Sequence, residues 1–205
     1  MAYQFAETRG APGAPLILTF HGTGGDETQF HGLARQILPD AHVISPCGDV
    51  SEMGMNRYFR RTGEGVYDMD DLVRRTEAMA AFISGAKARV GATRAIGFGY
   101  SNGANILASV AFQRPGLFAG IALLHPLIPW TPDPEPRLGG TNVLITAGWR
   151  DPICPAPLTE ALADWFAAQG ATPRMLWHPG GHELIQDEVQ GLADFLRQAE
   201  SAAPV

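Results

Sequence analysis

The sequence predicts an α/β fold: a mostly parallel central sheet with helices on both faces and no lid domain. Three observations carry this expectation. Short, nearly continuous apolar runs alternate with amphipathic stretches along the 205 residues, as for strands buried on both faces and joined by crossover helices. A G-x-S-x-G pentapeptide, Gly99-Tyr100-Ser101-Asn102-Gly103, lies between a strand-like and a helix-like segment. Glycine (24) and proline (16) are abundant, as many strand–helix connections require.

The elements follow in order. Residues 3–8 suit an added edge strand. Residues 16–20 (LILTF) are the first core strand and run into the small-residue loop His21-Gly22-Thr23-Gly24-Gly25-Asp26-Glu27. A helix is expected over 27–38 and a strand over 41–45. Asp68 is placed to cap a helix over 69–90, with Asp70 and Asp71 in its first turn favourable to the helix dipole. A strand over 94–98 leads through the pentapeptide to a helix over 102–113. Strands over 119–124, 142–147 and 173–178 are separated by a loop and a helix over 157–169, and a final helix covers 182–199. The Pro-rich stretch 126–136 is too short for a helical lid. Neither repeats nor a linker divide the chain, so residues 1–205 read as one domain.

Composition narrows the function. The chain is 45% hydrophobic and 18% charged, enough for a sizeable core without staples. A net charge of −6 argues against a nucleic-acid partner, and Arg60-Arg61 and Arg74-Arg75 are only pairs. Cys47 and Cys154 stand outside any C-x-x-C or zinc-ligand spacing and read as reduced thiols of a cytosolic protein. The N-terminus lacks a basic region, and its apolar run is too short for a signal or a membrane span. A cytoplasmic location is expected.

The serine needs partners. A serine on a tight strand-to-helix turn exposes its hydroxyl, and acyl transfer then needs a base and an acid to orient it. In an open parallel sheet such groups lie in loops after the carboxyl ends of strands. Asp151 follows the strand over 142–147, within Gly148-Trp149-Arg150-Asp151-Pro152-Ile153. His182 follows the strand over 173–178, within Pro179-Gly180-Gly181-His182-Glu183. The order Ser101, Asp151, His182 is that of α/β-hydrolases. His178 competes as base from the strand end, and Glu183 is expected to point away from its neighbour. His178 and His182 stand four apart, but Pro179-Gly180-Gly181 breaks the helix a zinc pair would need, so no metal and no cofactor is expected. Oxyanion donors are assigned to the N–H groups of Thr23 and Asn102. The glycine loop is not a phosphate cradle, because no lysine or G-K-[ST] follows. His21 precedes that loop and is expected to be a structural hydrogen-bonder.

These four segments, His21 to Asp26, Gly99 to Gly103, Gly148 to Ile153 and Gly180 to Glu183, resemble the phospholipase/carboxylesterase family of α/β-hydrolases. That family includes acyl-protein thioesterases and small bacterial carboxylesterases. The stretch Tyr58-Phe59-Arg60-Arg61-Thr62-Gly63-Glu64-Gly65-Val66-Tyr67-Asp68 is more similar to the bacterial branch associated with quinone and copper stress. The resemblance implies a lidless, cofactor-free serine esterase. Asn102 stands where the acyl-protein thioesterases usually carry Gln, and Tyr58-Phe59-Arg60-Arg61 replaces their Trp-Phe-Asp. Both departures weaken the case for a lipidated-protein substrate.

The expectation is therefore a serine carboxylesterase for small aryl or short-acyl esters, working through a Ser101–His182–Asp151 triad and an acyl-enzyme. Phe59, Trp130 and Ile153 are expected to line the substrate pocket. Arg60 and Arg61 would admit an anionic substrate group if they face the cleft. An acyl thioesterase, a lysophospholipase-like enzyme and a non-catalytic binding protein are the rivals. The partner is a small-molecule ester, with no nucleic acid and no membrane span, and a homodimer remains open.

Overall fold

The computed structural model describes residues 3–201. Its centre is a seven-stranded sheet. The strands, in chain order, are β1 (Phe5–Thr8), β2 (Leu16–Phe20), β3 (His42–Pro46), then β8 (Ala95–Tyr100), β9 (Gly120–Leu124), β10 (Asn142–Gly148) and β11 (Thr172–His178). Between β3 and β8 lie two small hairpins, β4 (Val50–Glu52) with β5 (Met55–Arg57), and β6 (Arg61–Gly63) with β7 (Val66–Tyr67). The helices are α1 (His31–Ile37), α2 (Met69–Val90), α3 (Asn102–Gln113), α4 (Ala156–Ala168) and α5 (Gln186–Ser201).

The sheet order is β1-β3-β2-β8-β9-β10-β11. Every pairing is parallel except β1 with β3, where Phe5 faces Pro46 and Thr8 faces Val43. Parallel strands need crossovers, and the helices that supply them cover both faces. The strand residues sort by period two. Leu16, Leu18, Phe20, Ile121, Leu123, Val143 and Ile145 face one core with residues of α2, α3 and α4, among them Met79, Ile83, Ile106 and Phe166. Ile17, Ile96, Phe98, Ala122, Leu124 and Leu144 face the other, under α1 and α5, with Ala34, Ile37, Leu192 and Leu196. Burial on both sides is why these strands read as continuous apolar runs.

Most elements lie within a few residues of their predicted positions. The predicted edge strand forms, and Asp68 caps α2 by accepting a hydrogen bond from the Asp71 N–H at 3.0 Å. Two helix starts differ. The helix expected over 27–38 begins only at His31. Asp26 takes both the N–H (2.8 Å) and the hydroxyl (2.6 Å) of Thr28, a local turn that competes with helix. The last helix begins at Gln186 rather than 182: His182 turns to Ser101 and Asp151, and the Ile185 N–H donates to Glu188 at the helix start. The hairpins of 50–67 leave no signal in the sequence: their strands are two or three residues long and carry no readable periodicity. Between β9 and β10 the only helical structure is one 3₁₀ turn, Pro136–Leu138.

Candidate active site

The site sits at the carboxyl ends of β8 to β11. Ser101 occupies the turn between β8 and α3 with φ 52° and ψ −117°, a backbone conformation that L side chains rarely adopt. The turn is feasible because glycines flank it. A Cβ on Gly99 would lie 2.6 Å from the Gly103 backbone, and one on Gly103 would collide with the carbonyls of Phe20 and His21. The Ser101 N–H donates to the Leu124 carbonyl at 2.8 Å, tying the turn to β9.

His182 reaches the serine. Its Nε2 lies 2.9 Å from Ser101 Oγ and its Nδ1 lies 2.7 Å from Asp151 Oδ2. Tyr100 holds it in place: the phenol donates to the His182 carbonyl at 2.6 Å, and the two rings lie 5.2 Å apart. Asp151 is buried. Its Oδ1 accepts the N–H groups of Ile153 (2.8 Å) and Cys154 (2.9 Å). Burial alone would raise its carboxyl, but hydrogen bonds from His125, Cys154, His182 and Ile153 win and hold it below the usual aspartate value.

His178 is elsewhere. Its Nδ1 accepts the Gly180 N–H at 3.0 Å, and its Nε2 is 3.6 Å from Glu188. Glu183 is exposed and turns back on the Gly181 N–H at 2.9 Å.

The oxyanion candidates also converge on this end of the sheet. The Asn102 N–H opens α3 and has no acceptor one turn back. Among the described residues the Thr23 N–H meets no acceptor, whereas Gly24 and Gly25 are tied to the Asn56 and Gly22 carbonyls. Tyr58 braces the region from within. Its N–H donates to Asn102 Oδ1 (2.8 Å), and its hydroxyl donates to the Pro46 carbonyl (2.8 Å) while accepting the His21 N–H (3.1 Å). His21 is structural, with Nδ1 donating to the Gly22 carbonyl (2.7 Å) and Nε2 accepting from Gly48 (2.8 Å). Burial lowers its basicity.

The expected pocket residues separate. Ile153 is exposed beside Asp151. Trp130 packs on Tyr67 and lines a cavity of about 140 Å³ with Ile128, Leu158 and Trp165, which includes no member of the Ser101 cluster. Phe59 corrects the sequence expectation. It is fully buried against Tyr67, with ring centroids 4.8 Å apart, and offers no surface to a ligand. Arg61 is paired with Glu52 at 2.9 Å, while Arg60 is exposed and its backbone N–H donates to Asp71 Oδ2. The arginine nearest the oxyanion loop is one not singled out, Arg57: it is buried, and its Nη1 donates to Thr23 Oγ1 at 2.8 Å.

Sequence reasoning also missed His125 and Glu188. His125 directly follows β9 and is fully buried, with Nδ1 2.8 Å from Asp151 and Nε2 2.9 Å from Glu188. The signal was available: a titratable residue at the carboxyl end of a core strand. Two triplets, His125–Asp151–His182 and His125–His178–Glu188, bring ligand-type atoms within 4.8 Å of one another. The His125 and His182 contacts in them are hydrogen bonds of 2.7–2.9 Å between ring nitrogens and carboxylates, so the groups face each other rather than a common centre.

Known proteins share this arrangement of sheet and helices. No family model matches the chain. A protein from Agrobacterium tumefaciens, Atu2452, of unknown function, is 50% identical, with a TM-score of 0.91 over 96% of this chain and 97% of its own. The Bacillus cereus carboxylesterase is 35% identical, also at a TM-score of 0.91, over 96% of this chain and 94% of its own. The protein of Bacillus subtilis (strain 168) named "Putative hydrolase MhqD" is 39% identical over 186 residues, 90% of this chain and 93% of that one. The chain belongs to the phospholipase/carboxylesterase family of α/β-hydrolases. In this family member the α/β-hydrolase sheet carries its polar cluster on four successive strands. Among the described residues, no helix is long and apolar enough to cross a membrane.

Proposed function

We propose that the protein is a serine carboxylesterase that hydrolyses small aryl or short-acyl esters through a Ser101–His182–Asp151 triad. The observation that carries this reading is the continuous hydrogen-bonded chain from Ser101 Oγ through both nitrogens of His182 to Asp151, at 2.9 and 2.7 Å. His182 Nε2 takes the Ser101 proton as Oγ bonds to the ester carbonyl carbon. The carbonyl π pair moves to oxygen, where the Thr23 and Asn102 N–H groups stabilise it. Collapse expels the alcohol, which takes the proton from His182, and leaves an acyl-serine. Water then repeats the sequence and releases the acid. Asp151 keeps the Nδ1 proton in place and stabilises the imidazolium. The names of the Bacillus relatives, a carboxylesterase and a hydrolase, support the same class.

Substrate size follows from the chain between β9 and β10, whose one 3₁₀ turn cannot bury a long acyl group. Each buried CH₂ contributes about 0.8 kcal/mol, so a deep channel would raise kcat/KM steadily with chain length. Two measurements test the reading. A fluorophosphonate probe should label Ser101 in the intact protein. Across p-nitrophenyl esters from acetate to palmitate, kcat/KM should peak at about two to six carbons, where an open cleft stops gaining apolar contact. An unlabelled Ser101 would end the serine mechanism. A monotonic rise through palmitate would favour a long-chain acyl thioesterase.

A further inference from the structure

Behind the proposed triad lies a second buried layer of histidine and carboxylate. His125 is enclosed completely and has a φ of 51°, so the strand end is bent to aim its ring. Its Nδ1 meets Asp151 Oδ2 at 2.8 Å and its Nε2 meets Glu188 Oε1 at 2.9 Å. Glu188 rises from the first turn of α5, and its other oxygen accepts the Ile185 N–H at 2.9 Å. A carboxylate offers no proton, so each of these contacts needs an N–H on the ring. With both nitrogens protonated, His125 is a cation. The buried set Asp151, His125 and Glu188 then sums to −1, the charge that Asp151 would supply alone.

We propose that His125 is a positioning residue for ester hydrolysis. Clamped as a doubly donating imidazolium between Asp151 and Glu188, it fixes Asp151 beneath His182 and weakens the hold of that acid on a His182 proton. The inference rests on the triad reading above. Both carboxylates are held below their usual range against the effect of burial, with His125 the leading opposing partner of each, while the carboxylates raise His125 against its own burial.

The groups facing the two rings come from every side. His125 meets Asp151 after β10, Glu188 from α5, His178 from β11 at 5.4 Å between rings, and Tyr100 from β8 at 5.9 Å. His178 accepts at Nδ1, so its proton is on Nε2, towards Glu188 at 3.6 Å. The Cys154 thiol donates to the His125 carbonyl at 3.2 Å and is kept protonated by burial. His182 meets Ser101, Asp151, Tyr100 and, at 5.2 Å between rings, His125. Glu183 is turned to solvent. Among the described residues, His125 is therefore the one cationic ring close enough to oppose a proton on His182.

Two variants and one measurement on the unaltered protein test this. His125→Asn tolerates the positive φ and removes the bridging ring. Glu188→Gln keeps the shape and removes the buried charge that holds the second proton on His125. In either folded variant the acid limb of the kcat/KM profile for p-nitrophenyl acetate should move up by about one pH unit, a tenfold loss at pH values below the limb, with KM within about twofold. A role confined to folding would lower the profile without moving the limb. In ¹⁵N-labelled wild-type protein, both His125 ring nitrogens should be protonated at pH 7. An unmoved limb in a folded variant, or a bare His125 nitrogen at pH 7, overturns the inference, and the spectrum decides if neither variant folds. Fluorophosphonate labelling of wild-type Ser101 separates the cases: labelled protein with unmoved limbs removes only the role of His125, whereas unlabelled protein removes the triad reading itself.

Discussion

Asp151 accepts four hydrogen bonds, two from backbone and two from histidine rings, so no lone pair is left to draw it out of line. At this scale the proposed triad makes firm predictions. Ser101→Ala and His182→Ala should each remove ester hydrolysis by on the order of 10⁶ in kcat, and Asp151→Asn by roughly 10⁴, the losses seen when members of a serine triad are removed. The check is steady-state hydrolysis of p-nitrophenyl acetate by purified, folded variants. Near-wild-type turnover in Ser101→Ala would end the assignment. Full activity in His182→Ala with loss in His178→Ala would move the base, although His178 touches Gly180 and Glu188 rather than the serine.

Elements with a strong period were the legible ones. The helix predicted over 69–90 matches α2, and its capping residue was identifiable because Asp before an amphipathic run satisfies an otherwise unpaired N–H. Asp68→Ala should lower stability by about 1 kcal/mol, read as a lower urea midpoint with kcat unchanged. An unaltered midpoint would show that the cap contributes nothing there. The 50–67 hairpins were illegible for the opposite reason. Their order comes from tertiary anchors, such as the Tyr58 hydroxyl against Pro46 and His21, which leave no local pattern. In the site, Ser101, Asp151 and His182 could be named because each follows its own strand. His125 and Glu188 could not be paired, because Glu188 lies in the first turn of a helix rather than in a loop after a strand, and no motif marks it. Phe59 was misassigned because sequence shows an aromatic near the cleft but not which way its ring turns.

For the whole molecule, the buried charges set the response to pH. Asp151 and Glu188 titrate below their ordinary values of 3.8 and 4.5, so their contribution is complete above those values and is lost as pH falls through the lower folded ones. His125 titrates above its ordinary 6.5, so its contribution is complete below 6.5 and is lost as pH rises through the higher folded value. The contribution of this cluster to the melting temperature should therefore be highest between pH 4.5 and 6.5 and fall on both sides, while His21 and His31, whose basicity burial lowers, subtract stability as pH falls below 6.5. Glu188→Gln should flatten both flanks. Calorimetry from acid to mild alkali checks this, and a variant curve parallel to wild type would show that the buried cluster does not govern pH stability.

The four contributing strands are neighbours both in sequence and in the sheet, and the exposed glycine turn at 139–140 lies midway between them. A cut there would part the chain into one piece holding Ser101 and His125 and another holding Asp151, His182 and Glu188. On the proposed triad, neither piece could hydrolyse an ester alone. The pieces would meet along β9 and β10, from Gly120–Asn142 to Leu124–Thr146. Exposed turns tolerate such nicks, so the two pieces, fused to proteins that bind each other, should regain turnover only on association. The sheet order offers a two-part reporter whose pieces share the β9–β10 pairing and both cores, and co-expressed pieces without activity would show that the covalent link is needed to form them.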